Sequence, residues 1–201
     1  MGKPKAPRGQ GRDRVVAAAL ELFSERGVSG TSLQMIADRL GIGKAAVYYQ
    51  FKTKEGIIEA VLAPAFAQMR RIIADADTSQ SPQEAAIVGL SGLVIAQREV
   101  VAALSHDPEV RRFLETHSEA AQLILQLGGM LLGPEPDTRH RVAVSLFGGG
   151  LASVGIDPAL ADIDDEALRS ELITLGQLLL MGKPHQNGPA SPPNVRVRTA
   201  Q

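Results

Sequence analysis

Residues 31–54 read TSLQMIADRLGIGKAAVYYQFKTK. Apolar residues recur at helical spacing from Leu33 to Leu40, and a second, very short helix is predicted from Lys44 to Tyr49. The three residues Gly41-Ile42-Gly43 connect the two segments. Helix, short glycine-containing turn and helix is the spacing of a helix-turn-helix, whose second helix enters the major groove of DNA.

The side chains of this segment divide into two sets. Those predicted to face inward are apolar: Ile36, Leu40, Ile42, Val47 and Phe51. Those left for the outer face are Lys44, Ala45, Ala46, Tyr48, Tyr49 and Gln50. The only two tyrosines of the chain lie here beside three lysines, so groups that can bind phosphates are concentrated on one short segment.

The rest of the sequence predicts further helices and no strands. A first helix ends at Gly27, the second starts at Thr31 with a capping box to Gln34, and a fourth follows Thr53. Beyond these, the predicted helices cover about residues 82–104, 108–132, 137–155 and 164–181. The start signals are Ser81-Pro82-Gln83-Glu84 and Asp107-Pro108-Glu109. The fold class is therefore all-α.

Composition excludes several classes of protein. The 201 residues are 44% hydrophobic and 21% charged, which excludes a disordered chain. Cysteine is absent, so disulfide scaffolds and thiol catalysis are excluded, and the four histidines are too scattered for a helical metal site. We expect no cofactor and no metal. The longest nearly apolar stretch, residues 85–96, is too short to span a bilayer, so we expect a cytoplasmic protein.

Charge is unevenly distributed along the chain. Residues 1–55 carry ten Lys or Arg and five Asp or Glu, whereas residues 56–201 carry 11 and 17. Net charges of +5 and −6 predict a basic N-terminal head that meets a polyanion and an acidic body that does not. The predicted domains are a basic tail over 1–11, a helix-turn-helix head over 12–55, a helical body over 56–182 and a tail over 183–201.

Residues 12–62 resemble the DNA-binding domain of the TetR family of bacterial transcription regulators. The resemblance rests on Ala18, Leu22-Phe23, Gly27-x-x-Gly30-Thr31-Ser32, Ile36-Ala37, Leu40-Gly41-Ile42, Val47-Tyr48-x-x-Phe51 and Lys54. It implies a three-helix head joined to a larger ligand-binding and dimerisation domain, bound to double-stranded operator DNA as a homodimer. The most frequent role in the family is that of a repressor released by a small-molecule effector.

The resemblance also implies site residues. Lys44 to Gln50, with Ala45 and Ala46, would be the recognition helix, Tyr48, Tyr49 and Lys54 would lie near phosphates, and Thr31 or Ser32 would contact phosphate at a helix start. The family often has a hydroxyl residue in place of Ala46 and a histidine in place of Gln50. Glutamine can still form two hydrogen bonds to an adenine edge.

The body offers weaker signals. Polar residues within apolar runs are candidates to orient a hydrophobic effector, namely Gln97, Arg98, His117 and Gln126. The last two helices carry more apolar residues than one isolated pair needs, which predicts a four-helix dimer interface. The rival readings are an enzyme, which the missing catalytic groupings argue against, and a ligand-blind architectural or occlusion protein.

Overall fold

A computed structural model describes residues 10–104, 106–154 and 157–182, and these form ten α-helices and one 3₁₀ turn without strands. The all-α prediction is confirmed. The helices are α1 (Gln10–Arg26), α2 (Leu33–Leu40), α3 (Lys44–Gln50), α4 (Lys54–Thr78), α5 (Pro82–Ala96), α6 (Arg98–Leu104), α7 (Pro108–Thr116), α8 (Ser118–Leu132), α9 (Thr138–Val154) and α10 (Asp165–Met181), with the 3₁₀ turn at Pro158–Leu160.

Helices α1 to α3 and the first half of α4 surround one hydrophobic cluster. Phe23, Ile36, Val47 and Ile57 are among its fully buried members. Buried residues of α6, α7 and α8 belong to the same cluster, among them Leu104. The core of the head therefore does not stop at the predicted boundary at residue 55.

A second cluster lies in the body and joins α5 with α8, α9 and α10. Close packing there depends on glycine. A Cβ atom on Gly176 of α10 would lie 2.7 Å from Cγ2 of Ile87 and Cε2 of Phe147, so only glycine lets α10 approach α5 and α9 this closely. Helix α4 contributes to both clusters, since its first half lies in the first cluster and Ile72, nearer its end, belongs to the second.

Two predicted helices are each broken into two. The segment 82–104 changes direction at Gln97, and α5 and α6 are bent by 77°. The segment 108–132 breaks at His117, whose extended backbone ends α7 and begins α8 while its Nδ1 accepts from the Ala120 amide. These predictions of continuous helices are wrong because the apolar spacing runs through both breaks, and spacing does not record a change of axis.

Other local expectations differ in detail. Asp107 and Thr53 are N-caps as expected, with side-chain oxygens that accept from the amides of Glu109 and Gly56. Ser81 lies at the start of α5, but its side chain makes no capping hydrogen bond. Residues 10 and 11, expected in the N-terminal tail, form the first turn of α1. Residues 1–9 and all of the predicted tail 183–201 lie outside the described residues.

Within the described part of the chain, no single helix is long and apolar enough to cross a membrane. The pair α5 and α6 meets that criterion only when the two are taken together across their 77° bend.

Candidate nucleic-acid interface

Helix α3 is held to the head by its inner face. Val47 is fully buried, and Phe51, which ends the helix, is 3% exposed and donates its amide to the Val47 carbonyl. Ile36 is also buried, while Leu40 and Ile42 are partly buried against the same cluster, so the predicted inner face is confirmed. The opposite face of α3 is left to solvent.

The turn before α3 depends on one glycine. Gly41 has a φ of 64° and a ψ of 33°, in the left-handed region that favours glycine. Its amide donates to the carbonyls of Ala37 and Asp38, and the Ile42 amide also donates to Ala37. These bonds close α2 and turn the chain into α3 within three residues.

The outer face of α3 combines cations, aromatic hydroxyls and small apolar side chains. Tyr49 is 80% exposed and Tyr48 48% exposed, and Lys44 and Lys52 are exposed beside them. Together with Ala45, these four residues line a shallow open groove. Ala46 is also exposed, and Gln50 is half-buried.

Known proteins share this architecture. The family described as bacterial regulatory proteins, tetR family, matches residues 15–61. The HTH-type transcriptional repressor KstR2 of Mycolicibacterium smegmatis is 34% identical over 94 residues, which are 45% of this chain and 42% of that protein. The biofilm operon icaADBC HTH-type negative transcriptional regulator IcaR of Staphylococcus aureus is 39% identical over 62 residues, or 31% and 33% of the two chains.

Residues 15–61 therefore match the N-terminal domain of the TetR family. Both relatives are matched over less than half of their length. Solved structures are similar to this chain in fold over most of its length. A TetR-like transcriptional regulator from a Rhodococcus species has a TM-score of 0.64 at 22% identity, covering 89% of this chain and all of that one. The transcriptional regulator FadR of Bacillus subtilis, solved with stearoyl-CoA, has a TM-score of 0.61 at 18% identity, covering 86% and 99%.

Of the two hydroxyl residues directly before α2, Thr31 and Ser32, only Ser32 is on the surface of the head. Its Oγ caps α2 by accepting from the Met35 amide at 3.2 Å. Thr31 is 3% exposed, and its hydroxyl donates to the carbonyls of Gly27 at 2.8 Å and Leu22 at 3.3 Å. The expected capping box at Thr31 is therefore wrong, and its hydroxyl is turned away from any ligand outside the head.

Lys54 is also placed differently from the expectation. Its Nζ donates to the carbonyls of Val28 at 3.0 Å and Thr31 at 3.3 Å, and it lies 2.7 Å from Oε2 of Glu109. With its side chain 21% exposed, the lysine is occupied by contacts within the chain. It joins the loop between α1 and α2 to α7 and is not a free cation on the outer face.

Asp107 forms the second polar bridge between that loop and α7. Its carboxylate accepts from the Ser29 amide at 2.9 Å and the Ser29 hydroxyl at 3.0 Å, and from the Glu109 amide at 2.9 Å. Partial burial raises the pKa of this carboxyl, but the hydrogen bonds from Ser29 and Glu109 outweigh it and lower the pKa below its usual value. We call the contacts of Asp107 with Ser29 and of Lys54 with Glu109 the head–body clasp.

The four effector candidates have separate surroundings in the body. The His117 ring stacks on Phe113, with ring centroids 4.8 Å apart, and on Phe66. Arg98 donates to the Leu160 carbonyl at 2.7 Å and pairs with Asp165. Gln97 ends α5, and the Gln126 side chain is exposed on α8. His117 and Arg98 thus have partners within the chain, and the four residues stay candidates for the effector site.

Sequence reasoning did not identify the clasp. Ser29 and Asp107 are 78 residues apart, and the sequence predicts Asp107 only as part of a helix start signal. No spacing rule connects residues on different helices at that separation. Lys52 is easier to predict as a site residue, because it directly follows the anchoring Phe51 and lies close to the tyrosines in sequence.

The contacts of Lys54 predict a role in stability. Lys54→Ala should lower the free energy of unfolding by about 1 to 3 kcal/mol, because it removes the cation that binds the Val28 and Thr31 carbonyls and the Glu109 carboxylate. Lys52→Ala, which removes an exposed lysine two residues away, should change it by less than about 0.5 kcal/mol. Chemical denaturation at one protein concentration measures both. Equal stability of the two variants would contradict the clasp.

Proposed function

We propose that the chain is a sequence-specific DNA-binding transcriptional regulator of the TetR type, acting in the cytoplasm as a homodimeric repressor on a palindromic operator. The observation that carries this proposal is α3, whose inner face is buried through Val47 and Phe51 while its outer face is free. A short helix fixed on one side and open on the other can lie in a major groove without rearrangement.

Each exposed residue of this face has a role that its chemistry supports. Lys44 and Lys52 neutralise phosphates, and the hydroxyls of Tyr48 and Tyr49 donate to phosphate oxygens. Ala45 and Ala46 pack against base edges, where methyl groups of thymine favour small apolar partners. Gln50 hydrogen-bonds a base edge. Ser32 at the start of α2 contacts a phosphate, as helix N-termini favour, whereas Thr31 and Lys54 leave this set.

Binding should depend steeply on salt. With six or more phosphate contacts across a dimer, affinity should fall by about 10³-fold or more between 50 and 200 mM salt. Lys44→Gln should reduce the slope of log affinity against log salt by about 2, since a dimer loses two contacts. Arg71→Gln is the control, because Arg71 is exposed about 25 Å further along α4 from Lys54. Fluorescence anisotropy on DNA selected from a random library measures both.

Two outcomes would contradict the proposal. A flat salt response, together with no preferred sequence after selection, would reject sequence-specific DNA binding by α3. Equal slopes for Lys44→Gln and Arg71→Gln would move the DNA-binding surface away from this helix.

Dimerisation is needed because one seven-residue helix contacts only a few base pairs, and two half-sites are about 34 to 36 Å apart. The surface of α9 and α10 supports a second copy as the partner. Val142 and Leu146 are 52% and 61% exposed at i, i+4 on α9. Leu175 and Leu178 are 51% and 62% exposed at i, i+3 on α10. Apolar faces of this kind on two adjacent helices suit a four-helix interface.

The glycines of α9 fit the same interface. Gly148, Gly149 and Gly150 are exposed in an unbroken helix, and Cβ atoms added to them would meet nothing within 4 Å. No neighbour among the described residues explains their small size. Helices of a second copy can approach closely over them.

Leu175→Glu should convert the protein to monomers and abolish high-affinity operator binding, because the interface would bury an unpaired charge. Leu125→Glu is the matched control, since Leu125 is 77% exposed on α8, outside the proposed interface. Light scattering at micromolar concentration and anisotropy on the selected DNA check the pair. A monomeric unmodified protein would contradict the proposal, and monomers from Leu125→Glu alone would place the interface on α8.

Effector control is supported by the clasp and by α4, which extends from the head into the body core. A ligand that changes the position of α7 would move Asp107 and Glu109, and with them the loop before α2. We propose that the effector is a hydrophobic small molecule. We do not assign Gln97, Arg98, His117 and Gln126 together to the lining of its binding site. To release the protein almost fully from DNA, the effector must bind the non-DNA conformation more tightly by about 5.5 kcal/mol.

A compound panel tests effector control. It should contain apolar molecules with one or two polar groups and long-chain acyl-CoA, which the fold neighbour FadR holds as stearoyl-CoA. At least one compound should both raise the melting temperature and weaken operator binding, because one binding event biases both equilibria. Compounds that stabilise the protein but never weaken DNA binding would favour the alternative, a ligand-blind DNA-binding occlusion protein.

A further inference from the structure

The first turn of α1 lies against the last turn of α3. A Cβ atom on Gly11 would lie 3.2 Å from Nε2 of Gln50 and 3.8 Å from its Cδ. The carboxamide of Gln50 therefore lies directly beside the space that a side chain at position 11 would fill. This explains why Gln50 is half-buried while the preceding Tyr49 is 80% exposed.

Arg12 holds the backbone at the same point. Its Cζ lies 4.2 Å from the centroid of the Phe51 ring, and its guanidinium donates to the Gln50 carbonyl at 3.4 Å. That carbonyl belongs to the last turn of α3, where carbonyls lack helical partners and a cation is favoured. In the first turn of its own helix, by contrast, a cation is unfavourable. The contacts with α3 are what favour an arginine here.

We propose that Gly11 and Arg12 are positioning residues that set the direction in which Gln50 meets its base, and thus a specificity determinant outside the helix-turn-helix. The inference rests on the proposed DNA-binding function. Gly11 leaves room for the side chain of Gln50. Arg12 binds the carbonyl of the residue from which that side chain extends and lies over the ring of the buried Phe51.

The physical reason is the geometry of amide recognition. A glutamine discriminates an adenine edge only when its oxygen and nitrogen both lie within hydrogen-bond distance, a window of a few tenths of an ångström. A correct pair of such bonds provides about 5- to 150-fold preference over a wrong base. A Cβ atom 3.2 Å from Nε2 is close enough to require the amide to move by a similar few tenths.

Gly11→Ala is the first test. Alanine forms helix better than glycine, so the melting temperature should be unchanged or raised. Base preference at the position that Gln50 contacts should nevertheless fall by about 5-fold or more. Gly129→Ala is the matched control, because Gly129 is exposed in α8 and a Cβ atom there meets nothing within 4 Å. It should retain the full preference.

Arg12→Lys separates positioning from phosphate binding. Lysine retains the charge but loses the planar group that stacks on Phe51. We expect a weaker base preference with an unchanged slope of log affinity against log salt. A variant that retains both the full preference and the slope would overturn the role of Arg12, because a phosphate contact needs only the charge that lysine keeps.

A double variant tests whether Gly11 acts through Gln50. In a Gln50→Ala background, Gly11→Ala should cause no further loss of preference, because both substitutions act through one side chain. Unchanged preference in Gly11→Ala alone, or in Gln50→Ala alone, would reject the inference while leaving the DNA-binding function intact. Absence of any preferred sequence for the unmodified protein would instead reject the proposed function, and the inference with it.

Discussion

Burial of Val47 and Phe51 holds α3 in its shape and position. The helix has seven residues, and isolated helices shorter than about 12 to 15 residues are marginal in water. Gly43 at its start provides no side-chain cap. The stability of α3 therefore comes from packing, and the same packing decides which side chains are left exposed. The outer face that we propose for DNA exists because the inner face is buried in the head cluster.

The same cluster makes the head part of a larger unit. Ile57 and Ile58 of α4 are buried in it together with Leu104 and Val110 of the body. The clasp adds directional contacts at the edge of this apolar core, where Asp107 and Lys54 each bind the loop before α2. Apolar packing sets the distance between head and body, and the hydrogen bonds set their relative orientation. This arrangement gives a change in the body a physical route to the head.

Sequence reasoning worked where the signal was local. The caps at Thr53 and Asp107, the turn at Gly41 and the inner face through Ile36 and Val47 all follow from spacing within one turn or one helix. It failed at Thr31 because Thr31 and Ser32 are equivalent as cap residues by type. Only the direction of the chain leaving α1 turns one hydroxyl inward and the other toward solvent.

The sequence by itself determined the helices, the amphipathic character of α3 and the basic charge of the head, because each depends on residue type and on spacing along the chain. The tertiary structure alone decided the partners of Lys54, the bends at Gln97 and His117, and the contact of Gly11 and Arg12 with Gln50. The paired groups are 26 residues apart for Lys54 with Val28, 38 for Arg12 with Gln50 and, in the clasp, 78 for Ser29 with Asp107. Such pairs are not predictable from spacing, since burial of the apolar clusters fixes the helix axes that bring the polar groups together.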